Sequence, residues 1–429
     1  MLQIKNTLGG GSLNIGNGKV CMLSPTTENI KKNLFVTQTD NQTLYDSGCE
    51  VTMSGIGSIT NNAILHLGDN AFLKIESTKA QAFRINEDGT ITLGTVLNHG
   101  TSNINNLELD TFIVSDDHYG CVGCGSSIIY FVVDKSTLEI TICSASLAGS
   151  KYYAVHARFS DSGRYVIVAS YANLYVYELD RDAKTITQVL SSSIDTSMST
   201  STPISNTKYD SNTYLHMYSD GSGKRWIFIA SRFDEETLTI TFGTKVSVAI
   251  KSGYGEGTGI FVPQVGCGYA FAFLNCNTSF RKLVCDENLT ITVSTTGLSI
   301  GSAVGDYDSY KEMYIYNDKL FIVFSKYDFG SNSRYYPKVS FAAIPFDITN
   351  GNLGTSQITG TLISSKGDSS SYPVSFCHVK NDKFVVSMYN SIYYLYLYNG
   401  VVKSLKGMDI RGVSLEDTGE LSDIKVLAL

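Results

Sequence analysis

Charge is thin in this sequence. Only 17% of the 429 residues are Asp, Glu, Lys or Arg, and there are six prolines and one tryptophan. So few charges exclude helices laced with Glu and Lys, and they suit turn-rich β structure in which Ser, Thr and Asn fill the polar positions. The formal net charge is −7 and no dense Lys/Arg run occurs, so a phosphate backbone finds no electrostatic footprint and no nucleic-acid partner is expected. No apolar run approaches the roughly 18 residues of a membrane helix. The start, "MLQIKNTLGGGSLNIGNG", lacks the apolar core of a secretory signal, so synthesis in a cytoplasm without membrane insertion is expected.

Cysteine is present but unframed. The nine thiols are an odd number and scattered, as expected of reduced, small apolar residues. Cys121 and Cys124 form a C-x-x-C in "YGCVGCG", but neither a second ligand pair at similar spacing nor a strand-to-helix setting accompanies it. No metal and no cofactor is expected.

What is abundant is tyrosine, with 27 copies, glycine, with 38, and a repeated hairpin. A strand, an Asp or Asn turn and a second strand with a Thr-rich start recur in "FRINEDGTITLGT" from Phe83, "FVVDKSTLEITIC" from Phe131, "YELDRDAKTITQV" from Tyr177, "RFDEETLTITFGT" from Arg232 and "LVCDENLTITVST" from Leu283. Looser copies follow in "IPFDITNGNLGTS" from Ile344 and "YLYNGVVKSLKG" from Tyr396. The apolar anchors after the turns are Ile91, Ile140, Ile186, Ile240, Ile291, Leu353 and Val401, at steps of 49, 46, 54, 51, 62 and 48 residues. A period near 50 exceeds a two-stranded unit and matches four short strands with their turns, the size of a propeller blade. Two further strands precede most hairpins, as in "AVHARFSDSGRYVIVAS" from Ala154, and the alternation has period two throughout.

The fold expected is therefore all-β, a seven-bladed β-propeller over 61–408 with short terminal attachment segments, the blades starting near residues 61, 103, 151, 203, 255, 302 and 371. Residues 1–60 are read as an attachment segment with ring-closing strands, in preference to an eighth blade, and 409–429 as a tail segment.

"IKNTLGGGS" at Ile4 to Ser12 and "GVSLEDTGELSDIKVLAL" at Gly412 to Leu429 resemble the terminal segments of tail-associated proteins from phages and prophage-derived particles of Firmicutes. "FSDSGRYVIVAS" at Phe159 to Ser170 is similar to a run found in lactonase-like and WD-type propeller blades, although the Trp-Asp dipeptide is missing and Trp226 precedes Ile227.

Candidate sites are few. His66, His156, His216 and His378 each stand just before a turn, where they would converge on a channel or, as the simpler reading has it, bond to a turn or a neighbouring blade. "SDGSGKRW" at Ser219 to Trp226 is one damaged copy of a sialidase Asp-box, "GYGEGTG" at Gly253 to Gly259 lacks the Lys of a phosphate loop, and "DDH" at Asp116 to His118 reads equally as a polar turn. The aromatic loops "GDYDSYKEM" and "SKYDFGSNSRYYPKVS" give the ligand-binding candidates Tyr307, Tyr310, Arg334, Tyr335 and Tyr336.

The resemblance at the ends implies a non-enzymatic structural and recognition component of a phage tail or tail-like particle, present in many copies and located in that particle. Its partners would be other tail or baseplate proteins and a bacterial surface glycan or protein. The alternatives are a propeller hydrolase or lyase acting on a surface polysaccharide, and a bacterial scaffold propeller for protein interactions.

Overall fold

The computed structural model describes the strands named below together with residues 69–70, 78, 86, 94–96, 99–100, 117, 135–139, 160–164, 182–184, 194, 209–212, 220, 235–238, 243–245, 268–269, 286–290, 348–351 and 354. No helix occurs among the described residues. The chain divides into two compact units, one of residues 1–49, 381–383 and 394–429, the other of residues 50–380 and 384–393.

The first strands are β1 (Leu2–Lys5), β2 (Ser12–Ile15), β3 (Val20–Leu23), β4 (Phe35–Gln38) and β5 (Gln42–Thr52). From residue 62 the larger unit is a series of antiparallel sheets, each built from consecutive strands. The first contains β6 (Asn62–Gly68), β7 (Ala71–Glu76), β8 (Lys79–Ile85), β9 (Ile91–Leu93) and β10 (Leu97–Asn98). The second contains β11 (Asp110–Ile113), β12 (His118–Cys124), β13 (Ser127–Asp134) and β14 (Ile140–Ser146); the third, β15 (His156–Phe159), β16 (Tyr165–Ser170), β17 (Asn173–Asp180) and β18 (Thr185–Ser193).

The fourth holds β19 (Ile204–Lys208), β20 (Thr213–Ser219), β21 (Arg225–Asp234), β22 (Thr239–Phe242) and β23 (Val246–Ala249), and the fifth β24 (Gly259–Val262), β25 (Ala270–Leu274), β26 (Ser279–Cys285) and β27 (Ile291–Ser299). The sixth comprises β28 (Ser309–Tyr316), β29 (Lys319–Phe329), β30 (Tyr335–Asp347), β31 (Asn352–Leu353) and β32 (Ile358–Ile363). A further sheet runs in the order β33 (Val374–Lys380), β34 (Lys383–Met388), β35 (Ser391–Asn399) and β5.

Period-two alternation explains how these sheets stack, because successive side chains leave a strand on opposite faces. On β13, Ile129, Phe131 and Val133 pack with Leu73 and Ala82 of the first sheet, while Ile128 and Tyr130 pack with Ala157, Val166 and Tyr177 of the third. On β16, Val166 and Val168 face the second sheet, and Tyr165, Ile167 and Ala169 face the fourth beside Ile204, Tyr214 and Phe233. The seam between the fourth and fifth sheets is filled by Trp226, Phe228, Ala272 and Leu289, and that between the fifth and sixth by Phe271, Phe273, Ile322 and Ile344. Each fully covered aromatic or aliphatic side chain contributes about 1.5–3 kcal/mol, so both faces of every inner sheet are stabilised by neighbours far along the chain.

The first strands of the sheets stand side by side in sequence, β6 by β11, β11 by β15, β15 by β19, β19 by β24, β24 by β28 and β28 by β33; β33 also stands beside β6. In the smaller unit, β1 pairs with β2, and β36 (Val402–Ser404), β37 (Gly412–Ser414) and β38 (Ile424–Ala428) join β3 and β4 in the order β3-β38-β37-β4-β36.

Candidate functional site

The repeated Asp is the cap of the outer hairpin. Asp134 Oδ1 accepts the backbone N–H groups of Ser136 at 2.9 Å and Thr137 at 2.7 Å, and both hydroxyls donate to it as well. These bonds hold its carboxyl well below the usual carboxylate range. Asp180, Asp234, Asp286 and Asp347 accept backbone N–H groups in the same way. Each of these five turns ends on a residue with left-handed backbone, Leu138, Lys184, Leu238, Leu289 and Gly351 in order. The turn motif is thus architectural, and the acidic residues most evident in the sequence are engaged in it.

A different group lies at the first strands. Arg158 follows Ala157 and precedes Phe159, both of which pack toward the second sheet, so period two sends its side chain to the opposite face. There Arg158 Nη2 donates to the backbone carbonyl of Asn206 on β19 at 2.9 Å, and Nη1 donates to that of Ala157 at 2.9 Å. Burial lowers the guanidinium pKa from 12.5 to about 10. The buried Ser205, Asn206 and Thr207 line β19 beside it. Sequence reading passed over Arg158, although "HARF" showed an isolated cation inside an apolar alternation.

The histidines separate. His216, fully buried on β20, bonds through Nε2 to Ser231 Oγ at 2.8 Å, and burial pushes its pKa down to about 3. It is a neutral structural side chain at physiological pH. His66 on β6 stacks on Phe72 at 5.0 Å, and Phe72 stacks on Phe83 at 5.1 Å. His156 and His378 lie on the first strands β15 and β33.

A cavity of about 930 Å³ opens between the second and third sheets. Tyr130, Val132, Ile142, Cys143 and Leu179 supply its apolar side, and Arg164, Glu178, Asp182 and Lys184 its charged rim. Arg164 Nη2 lies 2.6 Å from Glu178 Oε1 in an exposed ion pair. Burial raises the Cys143 thiol to about 11, which leaves it protonated and a poor nucleophile.

Of the aromatic candidates, the three that are described lie on strands. Tyr335 and Tyr336 belong to β30, opposite Phe329 and Asp328 of β29, and Tyr310 belongs to β28. Tyr307 and Arg334 lie outside the described residues. The expected loop of the widest repeat is instead a long hairpin, because Tyr, Phe and Val favour extended backbone on both sides of the short "GSNSR" segment.

The other motifs resolve similarly. Cys121 and Cys124 both belong to β12, three residues apart. "SDGSGKRW" spans the β20–β21 connection, where Asp220 Oδ1 accepts the Arg225 N–H at 3.2 Å and Trp226 is buried. His118 opens β12 with Nε2 3.7 Å from Asp134 Oδ2; Asp116 and all of "GYGEGTG" but Gly259 lie outside the described residues. Among the described residues no group of three or more His, Cys, Asp or Glu is placed to hold a metal ion.

No protein family matches the chain, and no curated protein is similar to it. Solved structures are. A protein from Lactobacillus plantarum has a TM-score of 0.53 at 11% identity, over 78% of this chain and 97% of that one. A "putative 6-phosphogluconolactonase" from Bacteroides uniformis has a TM-score of 0.48 at 11% identity, over 81% and 95%, and one from Bacteroides fragilis 0.48 at 12%, over 80% and 98%. The expectation of a non-enzymatic tail component is corrected here: no family, no curated protein and none of these structures is described as a tail protein. The terminal strings that suggested the tail amount to about 27 residues and carry no chemistry, whereas the similarity spans most of the chain. What the likeness establishes for this chain is its fold, an all-β assembly of propeller-like sheets.

Proposed function

We propose that the chain is a seven-bladed propeller hydrolase, closed between β33 and β6, which receives an anionic carbohydrate-derived substrate at the first strands beside Arg158. Closure is supported by the unbroken succession of neighbouring first strands that returns from β33 to β6. In this reading β5 completes the seventh blade as its fourth strand. A ring sets the first strands around the axis, and side chains that leave their sheet there are reached from solvent along the channel.

Arg158 carries the reading. A guanidinium bonded to the Ala157 and Asn206 carbonyls stands on a first strand whose neighbouring positions, Ala157 and Phe159, are apolar and packed. A phosphate or carboxylate on the substrate would be bound there by charge-assisted hydrogen bonds of planar geometry. The phosphorylated sugar lactone named for the two Bacteroides proteins is an anionic ester of that class.

Acid release from 6-phosphogluconolactone, corrected for spontaneous hydrolysis, tests the proposal. The chain should accelerate it with saturation, Arg158→Gln should raise KM by about tenfold or more, and Arg158→Lys should retain part of the affinity. No acceleration by the unaltered chain, or an unchanged KM in a folded Arg158→Gln variant, would overturn it.

A further inference from the structure

Two of the five seams between sheets carry a sealing device in full, and two lack all three of its parts. Between the first and second sheets, Arg84 Nη2 donates to the Lys135 carbonyl just past the turn-capping Asp134. Leu138, in left-handed conformation at φ 60° and 2% exposed, enters the same seam. Gly94 makes room for it, since a Cβ there would lie 2.5 Å from the Leu138 carbonyl oxygen. The seam between the fourth and fifth sheets repeats all three parts, with Arg232 on the Glu287 carbonyl, Leu289 at φ 61° and 3% exposed, and Gly243, whose added Cβ would lie 1.9 Å from the Leu289 oxygen.

The seam between the second and third sheets has a different residue at each position. Val132 stands two residues before Asp134, as Arg84 and Arg232 stand two before Asn86 and Asp234. Cys143 stands three after Ile140, as Gly94 and Gly243 stand three after Ile91 and Ile240. The alignment also holds in the bonding, for Gly94 and Gly243 donate their N–H to Ala82 and Ala230, and Cys143 Sγ approaches the carbonyl of the corresponding Tyr130. Lys184, at φ 52° and exposed, replaces the leucine. Left-handed backbone costs a non-glycine residue roughly 1–2 kcal/mol. At Leu138 and Leu289 the burial of an isobutyl group, about 1.5–3 kcal/mol, offsets that cost, and at Lys184 no such burial does. All three substituted residues line the 930 Å³ cavity. The seam between the third and fourth sheets also departs from the pattern, with Glu178 and Val189 at two of the positions, but keeps Leu238 as its plug. That between the fifth and sixth has Val284, Ser294 and Gly351 at the three positions, and there Lys282, Phe271 and Tyr269 pack around Gly351 in place of a leucine.

We infer that this open seam is a binding site for a short peptide, which inserts a leucine-like side chain where three sister seams insert their own leucine. The side chain meets Val132, Ile142, Cys143 and Leu179, and the protonated thiol of Cys143 is a soft surface for it. The rim offers both signs of charge, with Arg164 and Lys184 opposed to Glu178 and Asp182, and hydroxyls at Thr141 and Ser162. Such a rim suits a peptide backbone with its paired donors and acceptors better than it suits an ion of either sign. The volume falls within the usual range for ligand sites and exceeds one amino acid.

Calorimetric titration of the full chain with N-acetyl-leucine amide, N-acetyl-alanine amide and 3-methylbutanol tests the inference. The leucine amide should bind saturably and about thirtyfold or more tighter than the alanine amide, since the longer side chain buries roughly three additional carbons. Lys184→Leu should abolish that preference, because the new leucine fills the seam in a conformation its sisters already adopt; the Val132→Arg variant, which restores only the clasp, gives a second obstruction. Equal affinity of the two amides for the unaltered chain, or a leucine preference undiminished in both variants, would overturn the inference. Binding of 3-methylbutanol as tight as that of the leucine amide would overturn the peptide assignment.

Discussion

His216 shows how a single residue decides a functional reading. Sequence places four histidines before turns, where structural bonds are the simpler reading and a converging metal or anion site the rival, and only burial separates the two. With its pKa held near 3 against 6.5 in the unfolded chain, His216 must stay neutral to remain in the fold. Between those values the unfolded state binds the extra proton, so stability rises with pH across that window and falls as acid is added. In urea unfolding, the unaltered chain should lose roughly 2–3 kcal/mol from this group between pH 6.5 and 4.5. His216→Gln should cost stability at neutral pH yet flatten the acid dependence; an equally steep profile in the variant would show that other groups control it. Arg158 was harder to read because its role comes from a partner 48 positions away, the Asn206 carbonyl, and no local pattern encodes that contact. Tyr335 and Tyr336 were read as loop residues but not as strand residues, since the same residue types serve both settings.

At the scale of the element, the outer hairpin was legible almost to the residue. Ile140 and Ile291 open β14 and β27, and Ile186 and Ile240 are the second residues of β18 and β22, as the spacing of the Asp turns required. Two parts of the turn read out directly, the Asp side chain that captures N–H groups and the Thr-rich extended strand after it. The fit between neighbouring turns was not legible, because Gly94 and Gly243 meet leucines 44 and 46 positions on. Gly243→Ala should destabilise the protein by about 2 kcal/mol, in the usual range for overpacking. Leu289→Ala should not rescue it, since the closest atom to the new Cβ is the Leu289 backbone oxygen rather than its side chain. Chemical unfolding of the two single variants and the double variant measures this, and a rescued double variant would place the conflict in the side chain.

At the scale of the whole molecule, the repeat announces sheets of four strands before any side chain is placed, and the two-faced packing of β13 and β16 explains why no single sheet could stand alone. The chemistry did not follow from that plan. Terminal strings pointed to a particle, while the body shares its fold with proteins of other descriptions, and fold alone assigns no reaction. The central claim is that the sheets close on themselves, which sets the Arg158 strand around an axis and makes every seam, including the open one, an interior boundary. Native-state hydrogen exchange, resolved by peptide, tests it most directly. In a closed ring the amides of β7 and β34, in the first and last sheets, exchange only through the same large opening as those of β20 and β25 in the middle sheets. Protection of β7 and β34 equal to that of β20 and β25 is the result predicted; rapid, independent exchange of the two end sheets while the middle ones remain protected would mean an open array and would contradict the account.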